Sequence, residues 1–282
     1  MTIGTDLAIE AGEINKDAFK NADISTHDEG GVHITQMTID ENASACTGMT
    51  AGLYITCEMK PLTKPIFDED EAITAVGSVL GKLLPQDGCV VVAGLGNPDA
   101  TPDALGPSAC EHILATRHIV ESGFKMGGLE NLRSVCVLRP GVLGQTGIEV
   151  QEMLRAVSQA VGATCLIAVD ALAARSVKRL GCTVQLSDAG LSPGSGIGNR
   201  RTALTADTLG IPVIAVGVPT MVNAAVLAHD LTGQKPNDAK NLIVTPKDID
   251  TLILRSGKLL GMAINAALHP SLSPEEIAAI MV

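Results

Sequence analysis

Two hydrophobic periods alternate along the chain. Val32 to Ile39 alternates apolar and polar positions and Gly52 to Cys57 is rich in strand-forming residues, so two early strands are expected, as a hairpin or an edge pair. Asp68 followed by Glu71 has capping-box spacing, after which Ile73, Val76, Leu80, Leu83 and Leu84 recur at helical spacing up to Pro85. Val90-Val91-Val92-Ala93 is wholly apolar and closes on Gly94-Leu95-Gly96-Asn97, the pattern of a strand buried on both faces. A helix is expected from Asp103 to about His118, a strand at Ser134–Leu138, a glycine-rich loop at Pro140–Gly147, and a helix marked by Ile148, Leu154, Val157 and Val161. Cys165–Val169, Cys182–Leu186 and Ile211–Val216 read as further strands. Asp248 to Ala267 reads as one long helix, and Ser273-Pro274-Glu275-Glu276 opens a short last one, with proline at its first position.

Strands alternating with helices predict an α/β fold: three layers, a mostly parallel twisted sheet with helices on both faces, an N-terminal β extension and C-terminal helices. No repeat, low-complexity tract or long linker interrupts it, so a single domain is expected. At 282 residues, with 46% hydrophobic and only 1% aromatic residues, the core must be aliphatic. A formal charge of -11 argues against a nucleic-acid surface, which needs a basic patch to displace counterions. The uncharged stretch Ile211–Ala228 has the length of a membrane span, but Pro212, Gly217, Pro219, Thr220 and Asn223 divide it into a buried strand and a following helix. Cysteines 46, 57, 89, 110, 136, 165 and 182 form no C-x-x-C pair and follow no signal peptide, as expected of reduced core residues in a cytoplasmic protein.

Two acids follow apolar runs: Asp103 shortly after one and Asp170 directly after another. Neighbouring parallel strands lie about 4.8 Å apart, so acids at their carboxyl ends face a common cleft, where open α/β sheets keep their sites. Each also suits the cap of a following helix, and the two roles are compatible. Converging carboxylates repel, leaving one protonated and one ionised, a pair able to deprotonate water and protonate a leaving amine. The chemistry implied is hydrolysis of a peptide or ester bond. The same acids suit a divalent metal, with His118 or Asp188 as additional ligands, but no H-E-x-x-H or histidine cluster accompanies them, and neither metal nor cofactor is expected. Gly94-x-Gly96 lacks the third glycine of a dinucleotide fingerprint, and Ser176, Ser195 and Thr146 lack a nucleophile elbow. The loop from Gly190 to Gly198, ending at Arg200 and Arg201, suits either an anion cradle or a surface turn. Arg175, one turn beyond Asp170, suits either an ion pair or an acidic substrate residue.

Taken together, Thr5-Asp6-Leu7-Ala8, Gly94-Leu95-Gly96-Asn97, Thr101-Pro102-Asp103-Ala104-Leu105-Gly106-Pro107, Thr116-Arg117-His118, Pro140 to Gly147, Asp170-Ala171-Leu172-Ala173-Ala174-Arg175-Ser176, Ser187 to Gly198, Leu209 to Thr220, Val244-Thr245-Pro246-Lys247 and Asn265 to His269 closely resemble the germination proteases of spore-forming bacteria. The resemblance covers nearly the whole chain. It implies an endopeptidase of the spore core that starts the degradation of small acid-soluble spore proteins, a homotetramer made as a zymogen that cuts itself near its N-terminus. Substrate sites of that family look like Thr-Glu-(Phe/Ile)-Ala-Ser-Glu, cut after the first acid. Thr5-Asp6-Leu7-Ala8-Ile9-Glu10 fits the frame, so processing is expected between Asp6 and Leu7, with residues 1–6 a short prosegment and 7–282 the catalytic domain. The family's two acids fall on Asp103 and Asp170, with Arg175, Arg200 and Arg201 as candidates to hold the substrate's acid. The family has been viewed as atypical aspartic-type, and is also grouped with metallopeptidases. The Gly-x-Gly-Asn strand end and later acid also resemble hydrogenase maturation proteases, whose acids bind nickel. Gly94 to Pro98 is similar to the opening of peptidyl-tRNA hydrolases, whose basic surface has no counterpart here. The alternatives are a metal-dependent endopeptidase using the same acids and a non-catalytic binder of the spore proteins; no nucleic-acid or membrane partner is expected.

Overall fold

Apolar runs in this chain find their partners in one sheet. The computed structural model describes residues 5–20, 22–64, 69–123, 131–194, 201–233 and 242–281. Its strands are β1 (Ile24–Glu29), β2 (Val32–Ile39), β3 (Gly52–Glu58), β4 (Cys89–Leu95), β5 (Val135–Gly141), β6 (Ala163–Ala174), β7 (Thr183–Ser187), β8 (Val213–Asn223) and β9 (Ile243–Val244). Its helices are α1 (Ala8–Ile14), α2 (Glu41–Thr47), α3 (Glu69–Leu83), α4 (Leu105–Cys110), α5 (Arg117–Glu121), α6 (Leu143–Thr146), α7 (Val150–Val161), α8 (Ala206–Leu209), α9 (Ala224–Thr232), α10 (Ile249–Leu268) and α11 (Pro274–Ile280). The strands lie in the order β1-β2-β3-β7-β8-β6-β4-β5, with β9 against β8. The centre, β5-β4-β6-β8, is parallel; β7 joins β8 antiparallel, and β3, β2 and β1 continue the sheet antiparallel as the expected N-terminal extension.

Side-chain alternation assigns the two faces. Val90 and Val92 of β4 and Cys165, Ile167 and Val169 of β6 pack with α3, α4 and α10. Val91, Ala93 and Leu95, with Leu166 and Ala168, pack with Leu154 of α7 and Leu209 of α8 on the other side. Both faces are thus covered, which is why these strands read as continuous apolar runs. A third cluster joins Ala8 and Ala11 of α1 to Met37, Ile39 and Tyr54, whose ring is 5% exposed and whose hydroxyl donates to the Thr50 carbonyl.

Several elements differ from the pattern-based expectation. β1 is almost wholly exposed and polar, so hydrophobic alternation passes over it; it pairs with β2 through Gly30-Gly31, whose φ values of +55° and +71° suit a tight hairpin turn. The helix expected from Asp103 to His118 is two short ones. Between them the Asn265 side chain of α10 takes the Leu114 N–H and the His112 carbonyl, so this chain bonds to α10 instead of to its own next turn. The loop Pro140–Gly147 holds the end of β5 and one turn, α6. The strand read as Cys165–Val169 continues to Ala174, and that read as Ile211–Val216 continues to Asn223. The last helix opens as expected, Ser273 accepting from the Glu276 N–H with Pro274 in the first turn. Asp68, half of the expected capping box, lies outside the described residues. Cys57, Cys110 and Cys165 are buried and Cys89, Cys136 and Cys182 half-buried, but Cys46 is exposed on α2, so core packing does not account for it.

Candidate active site

A backbone turn only glycine allows brings the first acid into place. After β4 the chain reverses at Gly96, whose φ is +107°; a Cβ there would lie 1.9 Å from the Asp103 carbonyl oxygen. Asp103 ends a 3₁₀ turn, Thr101–Asp103, held from β8 by the Thr220 hydroxyl, which donates to the Pro102 carbonyl at 2.7 Å. Its Oδ2 accepts the Asn97 N–H at 2.7 Å. Burial raises the Asp103 carboxyl above its ordinary value, against that hydrogen bond.

Asp170 arrives differently. It lies inside β6, not after it, opposite Gly217 of β8 and next to Val169, the partner of Gly94 in β4. It is 7% exposed, and its Oδ1 accepts the Ala171 N–H at 2.9 Å. Burial, then the negative charges of Asp103 and Asp6, push its carboxyl well above the usual range. Neither acid caps a helix. β6 runs on past Asp170, and α4 has Ala104 at its cap with no side-chain bond. Asp103, Asp170 and Asp6 line one cavity of about 430 Å³, together with Gly96, Asn97 and the Gly141–Gly144 turn.

The N-terminal segment lies in this site. Asp6 pairs with the end of β6 in both directions: its N–H donates to the Ala173 carbonyl at 2.8 Å, and its Oδ2 accepts the Ala173 N–H at 2.9 Å. Gln185 of β7 donates from Nε2 to the Asp6 carbonyl oxygen at 2.7 Å and accepts the Ala8 N–H on Oε1 at 2.7 Å. Leu7, fully buried, packs between Ala174 and Val222. Glu10, 2% exposed, accepts the N–H groups of Arg175 at 2.7 Å and Ser176 at 2.9 Å and the Thr5 hydroxyl. Arg179 stands 3.5 Å from Glu10, forks onto both Glu13 oxygens at 2.9 Å and reaches Glu58 at 3.4 Å.

The expected arginines divide. Arg201 lines the cavity with Asp6 and Asp170; Arg175 takes part through its backbone N–H to Glu10; Arg200, like Ser195, lies outside the described residues. His118 is exposed on α5, and Asp188 accepts the Leu53 N–H at the start of β3, so neither stands with the two acids. Among the described residues no three His, Cys, Asp or Glu side chains converge in a metal-ligand group. Sequence reasoning missed Gln185, Glu10 and Arg179. Gln185 alternates with Val184 and Leu186, on the same side of β7 as Thr183 and Ser187, so its position reads as an ordinary polar face; Glu10, on the apolar side of α1 near Leu7 and Ala11, is the polar position in an apolar setting. Arg179 had no such signal.

Among the described residues no helix is long and apolar enough to cross a membrane. A family model described as germination protease matches residues 4–233. The chain is 38% identical to the germination protease of Caldanaerobacter subterraneus subsp. tengcongensis, covering 98% of this chain and 97% of that one. It is 35% identical to that of Clostridium tetani, covering 98% of each. Among solved structures, a [NiFe] hydrogenase maturation protease from Thermococcus kodakarensis matches 66% of this chain and 99% of its own at 15% identity, with a TM-score of 0.38.

Proposed function

Since the chain belongs to the germination protease family and is therefore a peptidase, we propose that it is an endopeptidase that cuts after an acidic residue with water activated between Asp103 and Asp170, and that its first substrate is its own Asp6–Leu7 bond. The observation that carries this is the seating of Asp6 and Leu7 along β6, with the Asp6 carboxyl close enough to raise that of Asp170. Asp170, the more strongly raised of the two, holds the proton. Asp103, with the Asn97 N–H on its oxygen, is the ionised partner.

The step balances as hydrolysis. Water adds its oxygen to the Asp6 carbonyl carbon while its proton passes to Asp103. The Asp170 proton passes to the Leu7 nitrogen as the C–N bond breaks, leaving a carboxylic acid on Asp6 and an amine on Leu7. In this reading residues 1–6 are a prosegment whose Asp6 occupies the site of a zymogen, and the later substrates are the small acid-soluble proteins of the spore core, cut by a homotetramer. Arg201 lines the cavity, and in this reading it is the residue that holds their acidic side chains.

The test is direct. The full chain, incubated until processed, should yield Leu7 as its first residue, and Asp103→Asn and Asp170→Asn should each lower the rate by at least about 10³-fold. Either variant processing at the wild-type rate would sink the assignment. Cleavage should survive exhaustive chelation; loss restored by one divalent metal would move the acids to the metal-dependent reading.

A further inference from the structure

Gln185, Gly217 and Asp170 stand side by side in register across β7, β8 and β6. Their neighbours Val184, Leu186, Val216, Val218 and Val169 all face the α3 and α10 core, so the three project together to the opposite face. Two strand spacings separate Gln185 from Asp170, about 10 Å between backbones. The residue between them is glycine, where a Cβ would meet the Asp170 carbonyl oxygen at 2.6 Å and the Leu172 side chain at 2.7 Å. The middle position therefore has no side chain of its own and receives that of Leu172, with the Gln185 amide to one side and the Asp170 carboxyl to the other. Asp6 lines the same cavity as these residues.

We propose that Gln185 is a catalytic residue whose side-chain amide holds the carbonyl oxygen of the bond being cut and takes up the charge that develops there. The inference rests on Asp6–Leu7 as the scissile bond and adds the group that polarises it. The amide's orientation is forced by its partners, because the Asp6 carbonyl only accepts and the Ala8 N–H only donates. As water adds to the Asp6 carbonyl carbon, the C=O π electrons move onto the oxygen, and the Nε2–H of Gln185 now donates to an oxyanion. When the tetrahedral species collapses, that pair re-forms the C=O bond and the C–N electrons leave with Leu7, which takes its proton from the protonated carboxyl. A neutral donor aimed at developing charge inside a buried site is stronger in the transition state than in the ground state.

The other end of the amide adds a ruler. Oε1 takes the N–H two residues beyond the carbonyl, so Gln185 spans the scissile bond and fixes which peptide unit lies beside it. Arginine or lysine would offer only the donor and glutamate only the acceptor.

The experiment uses the full chain and a synthetic peptide of residues 1–14. Gln185→Met keeps the side chain's length without donor or acceptor, and Gln185→Glu keeps only the acceptor. Both should slow the appearance of the Leu7 terminus, and lower kcat on the peptide, by about 10²- to 10³-fold. Thermal unfolding identifies a variant that has lost its fold, and the surviving one decides. N-methylation of the peptide at the Ala8 position should raise KM about tenfold for wild type and leave Gln185→Met unchanged, a coupling that a packing role would not produce. Wild-type kcat in a folded Gln185→Met overturns the inference alone. Wild-type cutting at a bond other than Asp6–Leu7 overturns the scissile-bond reading and the inference with it.

Discussion

Replacing Glu10 by alanine should release the N-terminal segment from its groove. The side chain is 2% exposed and its carboxylate gathers two backbone N–H groups, the Thr5 hydroxyl and one edge of Arg179. Hydrogen bonds to a charged group contribute about 1.5–3 kcal/mol each, and breaking a buried ionic contact costs about 3–5 kcal/mol. Arg179 keeps its fork to Glu13 and its contact with Glu58, so its charge is not stranded and the lower figure applies. A loss of about 3 kcal/mol raises the opening equilibrium of the segment about 100-fold. Amide hydrogen exchange reads this directly, best in an Asp103→Asn background where no self-cutting intervenes. The Ala8 N–H, held by Gln185, and the Ala11 N–H, held by the Leu7 carbonyl, should exchange about 100-fold faster in Glu10→Ala. Glu10→Gln, whose amide oxygen still accepts, should fall between. Protection at Ala8 within threefold of wild type would refute the reasoning, since the segment would then be held by something other than this carboxylate.

Two further outcomes follow from burial. The Asp170 carboxyl is raised above its ordinary value of 3.8, so below about pH 4 it is protonated in both folded and unfolded chains and costs nothing; as pH rises the unfolded chain ionises first and the fold loses stability. Asp170→Asn should therefore unfold at a higher temperature than wild type at pH 7, with the gap closing on acidification; a pH-independent gap, or a less stable variant at pH 7, would count against it. Burial pushes the Cys57 thiol up to about 12 and those of Cys110 and Cys165 up to about 11, while Cys46 is exposed. Iodoacetamide at neutral pH should label Cys46 first, read by peptide mass spectrometry; earlier labelling of Cys110 would mean that the core opens on that timescale.

How much of this was legible follows from which contacts are local. β4 and the first half of β6 were visible because both faces are covered and the code there is simply apolar. β1 and β9 were not, since β1 is polar and exposed and β9 is two residues long. The extension of β6 past Val169 was hidden because Asp170 interrupts an otherwise apolar strand, and a carboxylate inside a strand reads as the strand's end. The break between α4 and α5 depends on Asn265, about 150 residues away, and local spacing carries no trace of it. Asp103 and Asp170 could be named because each sits at a pattern boundary. Gln185 sits at an ordinary polar position of the alternating strand Thr183–Ser187, and its partner, the carbonyl of Asp6, is 179 residues distant.

The scarcity of aromatic residues leaves an optical consequence. The chain has no tryptophan and one tyrosine, and that tyrosine, Tyr54, is buried against Ala8 and Ala11 of α1. Emission excited in the tyrosine absorption band, where the three phenylalanines scarcely absorb, therefore comes from a single ring whose cluster includes the segment seated in the cleft. Solvation of that ring when α1 leaves would change its intensity without any label, so docking can be followed in real time separately from cutting, which mass spectrometry records.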